Sequence, residues 1–351
     1  MRLRSPALWT ALLCSGLLLA CGKKEENKGT SGAGAPEGAP ESAPVAAPAK
    51  VEKSPDGLVL GLRHADGSLN TYWVRSDAVT RLGAGLAVPR ASGWWVVQRF
   101  TPTDTSGKFQ EAALATGPAG KKLEPPKVED MAGCTQEKKL DVLFVGNDHV
   151  TVEVSQMGMC EGAAHPSQDH SINTYALDEL DQLKPVSAEA LLGQEGLKLL
   201  VAAGEAALKD KEYKDCVQAP GSAGWGLSRK EGAWRVQGAS SAVAGACRGM
   251  LEVYPVELKV PEKLTGKDVL PQAFTAYGER AGTQGPVVDV VASPDGKLEV
   301  TLEKGGIGVW DGGVRTASLA VEGATLVMAQ WAVGEKNATR WATEAQKALM
   351  P

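Results

Sequence analysis

Catalytic vocabulary is scarce in this chain of 351 residues. It has only four histidines, and no Gly-x-Ser-x-Gly, Ser-x-x-Lys or His-Glu-x-x-His occurs. The local signatures of serine hydrolases and zinc proteases are therefore missing. There is no Cys-x-x-Cys either, which argues against a thiol oxidoreductase and a zinc ribbon. The one Gly-rich stretch, Gly305-Gly306-Ile307-Gly308, follows a strand pattern without opening a helix, so it is not a phosphate loop. Positive charge is in deficit: 37 Lys and Arg face 42 Asp and Glu, a net charge of −5. That balance gives no electrostatic reason to bind nucleic acid. No apolar run reaches the roughly 20 residues a spanning helix needs.

The N-terminus carries the most specific pattern. Arg2 and Arg4 precede an apolar run from Ala7 to Ala20 that ends Leu18-Leu19-Ala20-Cys21. A charged start, an apolar middle and small residues before a cleavage point read as a secretory signal. The ending resembles the bacterial lipoprotein signal, in which the cysteine is lipidated and becomes the first mature residue. This implies lipid attachment at Cys21 and anchoring to a membrane of the cell envelope. Gly22 in place of Asp after that cysteine favours the outer membrane, by resemblance to bacterial sorting rules. Loss of Arg2 and Arg4 leaves 35 basic against 42 acidic residues, about −7 for the mature chain. No basic amphipathic helix is visible to hold it on anionic lipid.

From Gly22 to about Lys53 large apolar side chains almost vanish. Pro36, Pro40, Pro44 and Pro48 recur every fourth residue, each after Ala. Such a segment cannot bury a core and reads as a disordered spacer, extended at about 3.1 Å per residue where Pro dominates. Cys14 leaves with the signal, so Cys134, Cys160, Cys216 and Cys247 remain in the exported chain. An even number in that setting predicts two disulfides. Four cysteines allow three pairings; Cys134–Cys160 and Cys216–Cys247 are preferred because each closes a local two-strand unit.

Short alternating runs dominate the rest. Hairpins are expected around Asp66-Gly67, around Lys230-Glu231-Gly232 and around Pro294-Asp295-Gly296. Further strands are expected at 94–100, 140–145, 149–154 and 251–260. Helices are few: one from Ser187 to about Lys211, capped by Ser187 and interrupted at Gly193 and Gly196, a short one over 268–280, and a terminal one over 335–349 with Trp341, Ala345 and Leu349 on one stripe. Ser54-Pro55-Asp56-Gly57 and Ser293-Pro294-Asp295-Gly296 are near-identical turns. Two copies without a regular period of about 40 residues read as ordinary hairpin chemistry rather than a propeller.

Gly162-Ala163-Ala164-His165-Pro166, then Thr174-Tyr175-Ala176-Leu177-Asp178, then a helix from Ser187 form a recognisable succession. With Trp234-Arg235-Val236 and the segment from Val256 to Pro261, it resembles an extracytoplasmic domain of unassigned function. That domain ends the lysozyme-sensing anti-sigma factors and accompanies some peptidoglycan deacetylases. The resemblance covers residues 134–266 and implies an α+β domain. In the anti-sigma factors the domain binds lysozyme; in the deacetylases it stands beside the catalytic domain. No sigma-binding segment and no deacetylase motif is present here.

The expected fold class is α+β and β-rich, with antiparallel sheets, a central α+β domain and few helices. The expected division is a signal at 1–20, a lipidated tether at 21–53, a β-rich domain at 54–128, the α+β domain at 129–266 and a β-rich region with a terminal helix at 267–351. His165, Asp169 and His170 form the candidate binding loop, with an ordering role for His165 as the alternative reading; no metal, cofactor or catalytic residue is assigned. Eight tryptophans remain after the signal, at 73, 94, 95, 225, 234, 310, 331 and 341, for core packing or for anchoring a sugar or a protein. The leading expectation is a non-catalytic binding module at the cell envelope, its partner an envelope protein or a cell-wall glycan such as peptidoglycan. A peptidoglycan hydrolase and a purely structural lipoprotein are the alternatives.

Overall fold

The computed structural model describes residues 56–98, 113–124, 134–162, 167–178, 185–211, 215, 224–241, 251–268, 270–278, 280–333 and 335–350. The signal, Cys21, the tether, His165, Cys216 and Cys247 lie outside the described residues. Residues 51–351 form one compact unit.

Among the described residues, eighteen strands make five antiparallel sheets. In chain order they are β1 (Gly57–Arg63), β2 (Leu69–Arg75), β3 (Ala78–Ala84), β4 (Leu86–Arg90), β5 (Gly93–Val97), β6 (Ala115–Thr116), β7 (Lys122–Leu123), β8 (Cys134–Val145), β9 (His149–Cys160), β10 (Ser167–Ala176), β11 (Trp225–Lys230), β12 (Ala233–Ser241), β13 (Leu251–Val256), β14 (Val287–Ala292), β15 (Leu298–Glu303), β16 (Gly306–Asp311), β17 (Val314–Ala320) and β18 (Thr325–Ala332). The helices are α1 (Ala188–Leu208), α2 (Glu262–Thr265) and α3 (Glu335–Leu349).

The sheets run β18-β1-β2-β3, β4-β5-β6-β7, β8-β9-β10, β11-β12-β13 and β14-β15-β16-β17, and they are arranged as a five-bladed β-propeller. β18 lies against β4, β8, β11 and β14, so the first-named strand of each blade is the innermost. The ring is closed by the last strand pairing with the first, Ala332 opposite Gly57 and Thr325 opposite Arg63. This closure removes the open sheet ends that a linear array would expose.

The propeller corrects the reading of the two Ser-Pro-Asp-Gly turns as unrelated hairpins. Ser293 to Gly296 leads from innermost β14 into β15, held by Ser293 Oγ donating to Asp295 at 2.5 Å and by Gly296 at φ +70°. Asp56 and Gly57 likewise lead into β1, the second strand of the blade whose innermost strand is β18. The two copies thus precede corresponding second strands, and Ser54 and Pro55 lie outside the described residues. Unequal blades hide the period: strands run from two residues in β6 to twelve in β8.

Each blade buries one set of alternating side chains against each neighbour. Leu58, Leu60 and Leu62 of β1 pack with Val300, Leu302, Ile307 and Val309 of the fifth blade. On the other face, Val59 and Trp73 join Leu86, Val88 and Trp95 of the second blade and Val142, Val150 and Val152 of the third. The segment expected as an α+β domain supplies the third and fourth blades plus α1, which packs on β12 and β13. Ser187 caps α1 through Ala190 N at 3.2 Å, and Gly193 at φ +77° interrupts it, both as expected. Among the described residues of 268–280, a 3₁₀ turn at Phe274–Tyr277 forms in place of the expected helix. The boundaries drawn at 128 and 266 fall between blades. Among the described residues no helix is long and apolar enough to cross a membrane.

The face of β15 opposite its apolar row is polar and fully covered. Glu299, Thr301 and Glu303 are buried there. Tyr277 Oη donates to Glu299 at 3.1 Å, with Arg280 on the same carboxylate; Arg315 lies 3.1 Å from Glu303; and Trp310 Nε1 donates to Thr301 at 2.9 Å. Every buried acid on this face therefore has a cationic partner, which is the condition for burying charge without a large penalty.

Candidate binding site

The centre of one axial face is open. A cavity of about 490 Å³ is lined by Pro89, Asn147, Pro294, Gln330, Trp331 and Val333, among others. These residues sit at or just past the ends of innermost strands β4, β8, β14 and β18, which is why four separate blades meet there. A second cavity of about 530 Å³ lies beside the β4–β5 turn, between Arg90 and Trp94 on one side and Arg340, Trp341 and Glu344 of α3 on the other. Pro89 and Trp341 line both cavities, so the two adjoin, and together they are called the groove below.

α3 makes the outer wall, and its stripe explains its seat. Ala345 is fully buried, and Leu349 rests on β3 where Gly83 leaves room; a Cβ at Gly83 would stand 3.0 Å from that of Leu349. This places Trp341 edge-to-face against Trp94, with ring centres 5.7 Å apart and planes at 81°. Trp94 Nε1 donates to Glu344 at 3.0 Å, and Arg340 lies 3.4 Å from the same carboxylate. An indole pair fixed by packing and a hydrogen bond is a preorganised apolar surface. At the opposite wall Arg90 ties the end of β4 to the third blade. It donates to the Asn147 carbonyl, to Asp148 at 2.5 Å and to Asp178.

Trp331 and Gln330, both lining the axial cavity, carry unused polar groups: Trp331 Nε1 is buried without a partner among the described residues. Gln330 is 7% exposed, yet among the described residues its side-chain amide makes no hydrogen bond. Asn147 is half-buried, and among the described residues its side chain likewise makes no hydrogen bond, its carbonyl alone being used by Arg90.

Of the loop expected from sequence, His165 lies outside the described residues, while Asp169 and His170 are consecutive in β10, opposite Gln156 and Ser155. No group of three metal-ligating side chains occurs among the described residues. The tryptophans divide in a way the sequence did not reveal. Trp73, Trp95, Trp225 and Trp310 are core, whereas Trp94, Trp331 and Trp341 line the groove. Cys134 and Cys160 stand directly opposite each other in the β8–β9 ladder. Cα atoms of such partners are about 4.5–5.5 Å apart, within the span of a disulfide.

No known protein family, curated protein or solved structure matches the chain.

Proposed function

We propose that this protein is an extracytoplasmic lipoprotein, lipidated at Cys21 and held to a cell-envelope membrane by its Pro- and Ala-rich tether, that acts as a non-catalytic binding module through the axial groove. The carrying observation is the groove itself. Residues from four blades and α3 converge there on three tryptophans, two prolines and unpartnered amides. Aromatic anchors in a preformed concavity with a few convergent polar groups are the usual make-up of a recognition site. The resemblance of residues 134–266 to an envelope domain that binds protein fits the same reading. Cys134 and Cys160 are proposed to be bridged.

The test has two parts. Mass spectrometry of the mature N-terminal peptide should show acyl chains on Cys21, and Cys21→Ser should release the protein from membranes. Separately, the mature chain from Gly22 should bind isolated envelope material saturably, and Trp341→Ala with an unchanged fold should abolish this. Binding that survives Trp341→Ala would refute the groove as the site.

A further inference from the structure

Within that binding-module reading, we infer that the axial cavity takes an extended peptide, with one apolar side chain in the pocket and the adjoining backbone amide read by Gln330. The observation is a mostly buried side chain that lines the cavity and whose amide has no protein partner among the described residues, which leaves it free for a ligand. Gln330 sits on β18, the strand at the centre of the ring, 93% buried and lining the cavity. Its amide offers one acceptor and two donors, and Asn147 brings a second such group from the β8–β9 turn. A side-chain amide is complementary to another amide, accepting its N–H while donating to its C=O. A peptide bond presents that pair and carries no charge.

The walls narrow the choice further. Pro89, Pro294, Ala329, Trp331 and Val333 offer no side-chain acceptor, and Lys267 is the one charged lining residue of this cavity. A sugar ring would bring several hydroxyls into this space, where the side-chain partners are the two amides, Trp331 Nε1 and Lys267, fewer than its hydroxyls need. Each unpaired polar group loses affinity. An aliphatic or aromatic side chain is satisfied by these walls, and its flanking backbone needs only the amides. The next residues of the peptide run past Trp341 into the second cavity, where Trp94 supplies an apolar step and Arg340 and Glu344 a polar rim. Specificity comes from the apolar anchor, with the backbone contact fixing register.

The mature chain carrying Cys21→Ser would be panned against a displayed random heptapeptide library, with chitotetraose as a glycan probe in parallel. Enriched peptides should share one apolar position. A synthetic copy should lose about tenfold or more in affinity when a single backbone nitrogen beside that position is methylated, and a similar amount against Gln330→Leu. N-methylation perturbs only the ligand, so a folding defect in the variant cannot imitate it. Peptides that bind equally well after methylation at every position, and equally well to Gln330→Leu, would overturn the inference. So would saturable chitotetraose binding lost on Trp341→Ala with no peptide enriched, although the groove would then stand as a glycan site. Peptides unaffected by Trp341→Ala would overturn the inference and the groove reading together.

Discussion

Replacing Arg229 by Met removes the cation that joins the fourth blade to the fifth. Arg229 has a side chain only 2% exposed, and it is paired with Asp268 at 2.6 Å and Asp289 at 3.2 Å while also donating to the Val290 carbonyl at 2.5 Å. Asp289 is itself buried and accepts from the backbone N–H groups of Gly232 and Val290. Burial already pushes its carboxyl above the usual carboxylate range, with Arg229 as the main opposing influence. Loss of one partner from a buried pair costs about 3–5 kcal/mol. For a unit of this size that is a fall in Tm of roughly 6–10 °C, at about 2 °C per kcal/mol.

The pH dependence follows from linkage. Without Arg229 the folded pKa of Asp289 rises further above its unfolded value. A carboxyl raised in the folded state favours folding at low pH, and that contribution is lost as pH rises through the folded pKa. Arg229→Met should therefore destabilise more at pH 8 than at pH 5, read by chemical denaturation at both values. Adding Asp289→Asn should recover part of the loss at pH 8, because it removes one of the two carboxylates left without their cation, Asp268 being the other. A loss below about 1 kcal/mol, or one identical at both pH values, would refute the premise that this pair is buried and charged.

Three more outcomes are expected. Gly224→Ala should destabilise by about 1–3 kcal/mol, because Gly224 has φ +98° and a Cβ there would sit 1.8 Å from the Ile172 carbonyl oxygen; equal urea midpoints would contradict this. Burial raises Tyr175 to about 12, and burial beside Glu299 raises Tyr277 as well. Ultraviolet titration of the folded protein should thus leave two phenols protonated at pH 11, and stability should fall as pH climbs from 10 toward 12; ionisation of every tyrosine by pH 10.5 would refute it. If Cys134 and Cys160 are bridged, a non-reduced digest should contain their linked peptides, and the double Ser variant should lose roughly 3.5 kcal/mol for a loop of about 25–30 residues; free thiols at both positions would refute the bridge.

Local order was legible in the sequence wherever local chemistry sufficed. The Asp66-Gly67, Glu231-Gly232 and Asp295-Gly296 turns mark hairpins that form, because positive φ at glycine is a local demand. Ser187 capped α1, Gly193 interrupted it, and the four-residue stripe of Trp341, Ala345 and Leu349 set α3, again from neighbours in sequence. No strand was expected from sequence at β3, β4, β16, β17 or β18: β3 and β17 are outermost and expose much of their length, whereas β16 and innermost β18 are buried on both faces and so lack a two-residue alternation. Along β17 exposed and half-buried residues alternate with no fully buried one.

The sequence alone determined the strand-rich class, the hairpin positions, the helical ends and the chemical character of residues 1–53. Tertiary structure decided that hairpins of unequal length form one ring, because blade packing needs matching faces and not a fixed period. It decided which tryptophans are buried, since Trp94 and Trp95 are neighbours on β5 and face opposite sides of it. Gln330 shows the same division most plainly. In sequence it is a polar residue within an otherwise apolar run from Leu326 to Ala332, and only closure of the ring by β18 brings it to the axial cavity.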